Sequence, residues 1–448
     1  MFIGRNREIK SLAEHFATGR PSFVVVKGRR RIGKSTLIQE FAKRATEFYE
    51  FQGLAPREQM NNSDQLDAFS KQLAKQSKLP QLHIRHWSEA FSLLASVISD
   101  QPTVVLLDEI SWMARHDRDF AGQLKVAWDT EFKKKPNLML VACGSVTSWI
   151  DNNILKNSGF VGRVSLTLKL EELSLFYCNQ FWGNKSAQIA TSEKIKTLAV
   201  TGGVPRYLEE IKANVSAESN IKRLCFRREG ILFAEYERIF DDIFEKKAES
   251  YGSIVKSLVS GKKQQSEIAT ALGRDNNGHM GEHLDNLVEA GFLARDVVYQ
   301  PSTLKRSRSY YRLKDNYLRF YLKFVEPLRD KIVQGLYEDV PIEDIIRWDV
   351  IIGLQVENLV LSNIRSLLKI LSIDPGRIIS ASPYIQKATK RKKACQIDLL
   401  VQTRYALYIC EIKFRREIPS SITQEMQEKI SRLTIPTGLS IRPVLIYE

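Results

Sequence analysis

No stretch of the 448 residues stays apolar over the roughly 18 positions that a membrane-crossing helix needs, so no membrane partner is expected. Cysteine is scarce and scattered. Cys143, Cys178, Cys225, Cys395 and Cys410 include no pair at CxxC spacing, which argues against a zinc site and a disulfide framework. Cys143 and Cys410 lie inside apolar, strand-like runs, where a thiol serves as a small core residue. Low-complexity tracts and repeats of fixed period are absent as well. The opening MFIGRNREIK places charge where a secretory signal would need an apolar segment, so a cytoplasmic protein is expected.

What is present is an ordinary globular composition, 43% hydrophobic and 27% charged, in a chain long enough for two or three domains. The net charge of +15 fits a polyanionic partner, because lysine and arginine gain affinity by releasing counterions from phosphates. A solvated basic surface without such a partner has the same composition.

The first 210 or so residues alternate short apolar runs with amphipathic stretches, the pattern of an α/β fold. Phe23–Lys27, Thr103–Leu107 and Leu138–Cys143 read as buried parallel strands, with Glu47–Phe51 and Val164–Leu168 as weaker ones. Helices are expected between them. From about 170 to 250 the pattern turns helical, broken at Thr201-Gly-Gly-Val-Pro205. Three short helices and two strands follow to 325. One long helix, Val350–Leu371, then leads to strands Cys395–Gln402 and Ala406–Lys413, a helix near Thr423–Leu433 and a last strand, Arg442–Tyr447.

Gly28-Arg29-Arg30-Arg31-Ile32-Gly33-Lys34-Ser35-Thr36 matches G-x-x-x-x-G-K-S/T between an apolar strand and a helix. Backbone N–H groups of such a loop wrap phosphates, Lys34 reaches the β- and γ-phosphates of ATP, and Ser35 ligates Mg²⁺. Asp108 and Glu109 end the strand Thr103–Leu107, at the sheet edge where open α/β folds bind ligands. Asp108 is expected on Mg²⁺ and Glu109 on the attacking water.

At the other end, Asp398 and the pair Glu411 and Lys413 sit on two adjacent strands, with Glu411 and Lys413 on one face. Two carboxylates that hold Mg²⁺ beside an ammonium suit phosphodiester hydrolysis. A solvated Asp, Glu and Lys set on a sheet edge has the same pattern.

The N-terminal half resembles the archaeal-type ATPases of the AAA+ and STAND P-loop NTPases. The resemblance rests on the P-loop, on Phe2-Ile-Gly4-Arg5-x-x-Glu8 before it, on Gly144-Ser145 after the third strand, on Gly162-Arg163, and on Gly202-Gly203-Val-Pro205-Arg206. It implies an adenine-side contact for the first segment and places Ser145 where many relatives carry a sensor Asn. It also implies a γ-phosphate contact for Arg163 and a lid contact for Arg206. Arg163 acting on a neighbouring subunit would make the protein a homo-oligomer, and acting in cis would leave it a monomer.

Residues 265–293 and the basic hairpin around Lys305-Arg306-Ser-Arg308 have the pattern of a winged helix. Its second helix carries Glu282, Asp285 and Glu289, so packing competes with DNA binding as its use. Asp315–Tyr321 resembles the aromatic segment that follows this module in the same family. The C-terminal strands resemble the PD-(D/E)xK restriction-endonuclease-like fold, which adds Glu357 as a first-helix acid and metal ligand, with Gln427 and Lys429 as weaker matches. Arg391-Lys-Lys393, Arg415 and Arg416 would flank that site.

The expectation is therefore a P-loop NTPase parallel sheet over 1–170, a helical lid over 171–250, a winged helix over 251–325 and an α/β nuclease-like domain over 326–448. ATP and Mg²⁺ would be its cofactors and nucleic acid, DNA first, its partner. The alternatives are an ATP-dependent switch with an inert nuclease-like scaffold and a stand-alone ATPase.

Overall fold

In the computed structural model, residues 2–448 are described apart from 146–147, 245–247, 302–305, 391 and 416, and apart from the side chains of 148, 240–244, 306 and 307. The wing tip at Lys305 and Arg306, and the basic residues Arg391 and Arg416, thus lie outside the described side chains. The chain divides into two units, Met1–Leu173 and Ser174–Glu448.

In the first unit, strands β1 (Ser22–Gly28), β2 (Glu47–Gln52), β3 (Thr103–Asp108), β4 (Leu138–Ser145) and β5 (Val164–Leu170) form one sheet in the order β2-β3-β4-β1-β5. Every neighbouring pair is parallel. β1, β3 and β4 are buried along their whole length, which is why they read as continuous apolar runs.

Alternation sorts their side chains into two layers. Phe23, Val25, Val105, Leu107, Leu140 and Ala142 join one core cluster, and Val24, Val26, Val104, Leu106, Val141 and Cys143 join the other. Helices α1 (Asn6–Phe16) and α2 (Lys34–Ala42) cover the second layer through Leu12, Leu37, Ile38 and Phe41. Helices α3 (Asn62–Gln76), α4 (Trp87–Val97) and α5 (Phe120–Thr130) cover the first. Trp87 and Phe120 meet there edge to face at 4.8 Å.

The second unit begins with helical segments that include α6 (Thr191–Thr201). It continues through α7 (Ala248–Ser257), α8 (Gln265–Ala271) and α9 (Gly278–Glu289) to an antiparallel hairpin of β6 (Leu293–Tyr299) and β7 (Arg306–Leu313). Lys263, between α7 and α8, pairs with Tyr311 of β7 through backbone bonds of 2.9 and 2.8 Å in both directions.

After α10 (Asn316–Phe320), the long helix expected over Val350–Leu371 is two, α11 (Ile352–Ser362) and α12 (Ile364–Ile370). The break falls at Asn363, whose side-chain amide donates to Leu359 O (2.8 Å) while its oxygen accepts from Leu175 N–H (2.9 Å). A four-stranded sheet follows in the order β11-β10-β9-β8, made of β8 (Ile378–Gln386), β9 (Cys395–Thr403), β10 (Ala406–Lys413) and β11 (Ser440–Tyr447). β8–β9 and β9–β10 are antiparallel, β10–β11 is parallel, and α13 (Ser421–Arg432) makes the crossover between the parallel pair.

The hairpin does not stand apart from this sheet. Val298 and Tyr310 share a core cluster with Tyr384, Ile397, Leu407 and Ile409. Ala199 of α6 likewise packs with Ile352, Val356 and Ile412. All five cysteines are free and buried. Among the described residues, no helix is long and apolar enough to cross a membrane.

Candidate functional site

The P-loop leaves the carboxyl end of β1 and enters α2 through Gly33, whose φ of 87° suits a residue without Cβ. Arg31 also has positive φ, at 65°. Arg5 fixes the loop from outside, donating to Ile32 O at 3.0 Å, and Arg29 reaches Glu172 at 3.3 Å. Ile32 is fully buried, and Thr36 is exposed on the first turn of α2.

Five functional residues, Lys34, Ser35, Asp108, Glu109 and Ser145, meet at the ends of three parallel strands. Ser35 Oγ donates to Asp108 Oδ2 at 2.7 Å. The Lys34 ammonium is buried, donates to Arg29 O at 3.2 Å and lies 3.5 Å from Ser145 Oγ at the end of β4. Glu109 Oε2 accepts a long 3.4 Å bond from Ser145 N–H. Glu109 itself has φ 49° and ψ 49°, a left-handed conformation rare outside glycine and a mark of functional strain. Burial pushes its carboxyl above the usual glutamate range; Lys34 pulls it back and Asp108 adds to the rise.

Gly53 is part of this constellation and escaped sequence reasoning, since nothing in Gln52-Gly53-Leu54 marks it. Its N–H donates to Asp108 O at 3.0 Å, and a Cβ there would lie 2.7 Å from Glu109 O. That contact forces the Glu109 backbone to move. Gly53→Ala is therefore expected to lower kcat for ATP about 10- to 100-fold with little change in KM, as steady-state kinetics would show.

Two arginines expected at the nucleotide are paired with carboxylates of their own unit. Arg163 forms a two-pronged pair with Asp129 of α5, both bonds 2.8 Å, and Lys125 joins at 2.9 Å. Arg163 and then Lys125 hold the Asp129 carboxyl below its usual range. Arg206 pairs with Glu209 and Glu210 of its own segment.

Residues 2–211 match a family described as an ATPase domain predominantly from Archaea. Over those residues the chain is similar to archaeal-type ATPase domains. The match runs past Leu173 through α6 to Gly202-Gly203-Val-Pro205-Arg206. A solved structure described as the Walker-type ATPase PABY2304 of Pyrococcus abyssi shares the fold. It is 16% identical, with a TM-score of 0.53 over 72% of this chain and 96% of that one. The uncharacterized protein MJECL04 of Methanocaldococcus jannaschii is 22% identical over 340 residues, 75% of this chain and 72% of the relative. By its ATPase domain the chain is an ATPase.

Outside the ATPase domain, the C-terminal carboxylates come from three elements. The β9–β10 ladder runs to Leu399 and Cys410, which brings Asp398 and Glu411 next to each other on adjacent strands. Asp398 Oδ2 accepts from Ile412 N–H at 2.9 Å. Glu411 is 1% exposed; its Oε2 lies 2.7 Å from Lys429 Nζ of α13 and 3.6 Å from Lys413 Nζ. Its Oε1 has no hydrogen-bond partner among the described residues. Burial and then Asp398 push the Glu411 carboxyl up.

Glu357 of α11 is buried beside them. Burial raises its carboxyl, Lys262 pulls it back, and Asp398 adds to the rise. Of the two weaker matches on α13, Lys429 reaches the site, while Gln427 is exposed. Lys262, from the segment between α7 and α8, carried no sequence signal, yet its ammonium lies 3.3 Å from Glu357 Oε1.

Among the described residues, no three His, Cys, Asp or Glu side chains gather as a ready-made metal cluster. The P-loop oxygens nevertheless fit Mg²⁺, because Ser35 and Asp108 already meet and phosphates and water supply the remaining ligands. At the C-terminal site the unpartnered, buried Glu411 Oε1 is the fitting feature.

Proposed function

We propose that the ATPase is coupled to nucleic-acid binding and to metal-dependent phosphodiester hydrolysis by the C-terminal module. The observation that carries the second half is the order α11/α12-β8-β9-β10-α13-β11, with Asp398, Glu411 and Lys413 on its central strands. That order, helix, three strands, helix and strand, supports the restriction-endonuclease-like reading. The order α7, Lys263 bridge, α8, α9, β6 and β7 likewise supports a winged helix, with exposed Arg308 on the wing side of β7. The net charge of +15 supports DNA as its partner.

In the ATPase domain, Lys34 exchanges Arg29 O for phosphate oxygens, and the backbone of Arg29–Ser35 cradles them. Glu109 accepts a proton from the attacking water. Arg163 contacts the γ-phosphate after leaving Asp129, in cis or from a neighbouring subunit. Ser35 with Asp108 would hold Mg²⁺ at the P-loop, and Asp398 and Glu411, with Glu357, would be the candidate ligands at the C-terminal module. A metal held there would polarise a phosphoryl oxygen and offset its charge. Lys413 and Lys429 stabilise negative charge on the scissile phosphate.

Full-length protein with Mg²⁺ or Mn²⁺, with and without ATP, is expected to cleave duplex DNA. Asp398→Ala should lower that cleavage by about 10²-fold or more without changing ATP hydrolysis. Equal cleavage by both proteins would remove the nuclease. A second reading, an ATP-dependent switch on an inert scaffold, draws on the lysines already matched to Glu357 and Glu411. DNA binding without cleavage would favour it.

A further inference from the structure

Strand β2 is the edge of the first sheet, next to β3. An edge strand presents a row of backbone N–H and C=O groups away from its neighbour, and here side chains of α3 meet that row. Gln76 accepts from Glu50 N–H and donates to Glu50 O, both at 2.8 Å. Gln72 accepts from Gln52 N–H at 2.7 Å and donates to Gln52 O at 3.0 Å. Gln65 accepts from Leu54 N–H and donates to Leu54 O, both at 3.0 Å. A carboxamide offers the acceptor and donor that a peptide group offers, so these glutamines stand where another strand would pair.

The spacing on both elements allows it. Residues 50, 52 and 54 turn their backbone groups to the same edge, since a strand alternates with period two. Residues 65, 72 and 76 share one face of the helix. The helix itself is fixed by Leu66, Phe69 and Leu73 in the core, with Phe69 stacked on Phe51 at 4.3 Å.

Gly53 falls between the residues held by Gln72 and Gln65. Its N–H continues the ladder to Asp108 O at 3.0 Å. Its α-carbon sits so close to the next turn that a Cβ would lie 2.7 Å from Glu109 O and 3.2 Å from Met113 N. The Glu109 carbonyl also accepts from Trp112 N–H at 2.8 Å. The left-handed backbone of Glu109 is thus bounded by Gly53 on one side and tied to the following turn on the other. Such a conformation persists only where its surroundings over-determine it.

We propose that Gln65 and Gln72 are positioning residues for ATP hydrolysis. By clamping Leu54 and Gln52 they hold Gly53 against Glu109 O and keep the Glu109 carboxylate aimed at the attacking water. The proposal rests on reading Glu109 as the general base, and it adds the side chains that aim that base. Gln76 makes the same paired bonds but to Glu50, away from the neighbours of Gly53. It covers the edge without aiming anything, and so serves as the internal control.

Steady-state and single-turnover hydrolysis by the full chain, with equilibrium binding of a fluorescent ATP analogue, test this. Methionine is close to glutamine in length and helix propensity and cannot make the paired bonds. Gln72→Met and Gln65→Met are each expected to lower kcat about tenfold or more, the scale of a small misplacement of a reacting group. Analogue affinity should not change. Gln76→Met should keep the wild-type kcat. In a Glu109→Gln background, Gln72→Met should cause no further loss, because the base it aims is gone.

Gln65 is 2% exposed, so its replacement can weaken the fold. Gln72 is only partly buried and carries the test alone, with thermal melting of Gln72→Met and Gln76→Met as the check on folding. An unchanged kcat in Gln72→Met would overturn the positioning role. So would an equal drop in Gln76→Met, or a further drop in the Glu109→Gln background; either result leaves the glutamines as an edge cover. Wild-type hydrolysis by Glu109→Gln would overturn the general-base reading, and this proposal with it.

Discussion

Glu109→Gln is expected to lower ATP turnover about 10²- to 10⁴-fold, the usual contribution of a positioned general base, while nucleotide binding persists. The amide has the same shape and keeps an oxygen for Ser145 N–H, which now reaches Glu109 Oε2 at 3.4 Å. Lys34 and the P-loop backbone are untouched. What is lost is the capacity to take a proton. Equilibrium binding of a fluorescent ATP analogue together with single-turnover hydrolysis separates the two effects. Hydrolysis at the wild-type rate would exclude Glu109 as the base.

The pH profile adds a second check. Burial lifts the Glu109 carboxyl, against the pull of Lys34. The base works only when deprotonated, so kcat/KM should fall as pH drops through that raised value. The acid limb should therefore lie at higher pH than an ordinary glutamate would give, and Glu109→Gln should lose it.

The second large effect concerns stability. Arg312→Ala is expected to destabilise the C-terminal unit by about 3–5 kcal/mol, the cost of leaving one partner of a buried ion pair alone. Arg312 Nε meets Asp296 Oδ2 at 2.8 Å across the hairpin, with both side chains about nine-tenths buried. The arginine also donates to Asn358, whose amide in turn donates to Leu313 O, Lys314 O and Asn316 Oδ1. Truncation strands the Asp296 charge and the Asn358 acceptor together. Denaturant unfolding would measure the loss, and Asp296→Ala added to Arg312→Ala should recover part of it. A loss below about 1 kcal/mol would place the pair with ordinary surface ion pairs.

The nucleotide site was legible because its residues announce themselves locally. Gly28, Gly33, Lys34 and Ser35 lie within one turn between strand and helix, and Asp108 ends an apolar run. Strands β1, β3 and β4 were legible because burial on both faces writes itself as continuous apolar sequence, and the partly exposed β2 and β5 gave the weaker signal.

What depends on chain segments meeting was not legible. Gly53 matters because Glu109 O passes beside it, and Lys262 matters because a bridge at Tyr311 delivers it to Glu357. Strand β8 escaped because Ile378–Gln386 holds Ser380, Ser382 and Pro383 in place of a clean alternation. The break at Asn363 escaped because apolar residues continue on both sides of it; a single side chain, bonded to Leu359 and Leu175, decides it.

The five free, buried thiols carry a practical consequence. Cys143 is in the first unit and Cys178, Cys225, Cys395 and Cys410 are in the second. A thiol-reactive label added to the native protein therefore marks a unit only when that unit opens. Mass spectrometry of the labelled peptides would time the opening of each half separately, with and without ATP or DNA, and without a single engineered residue.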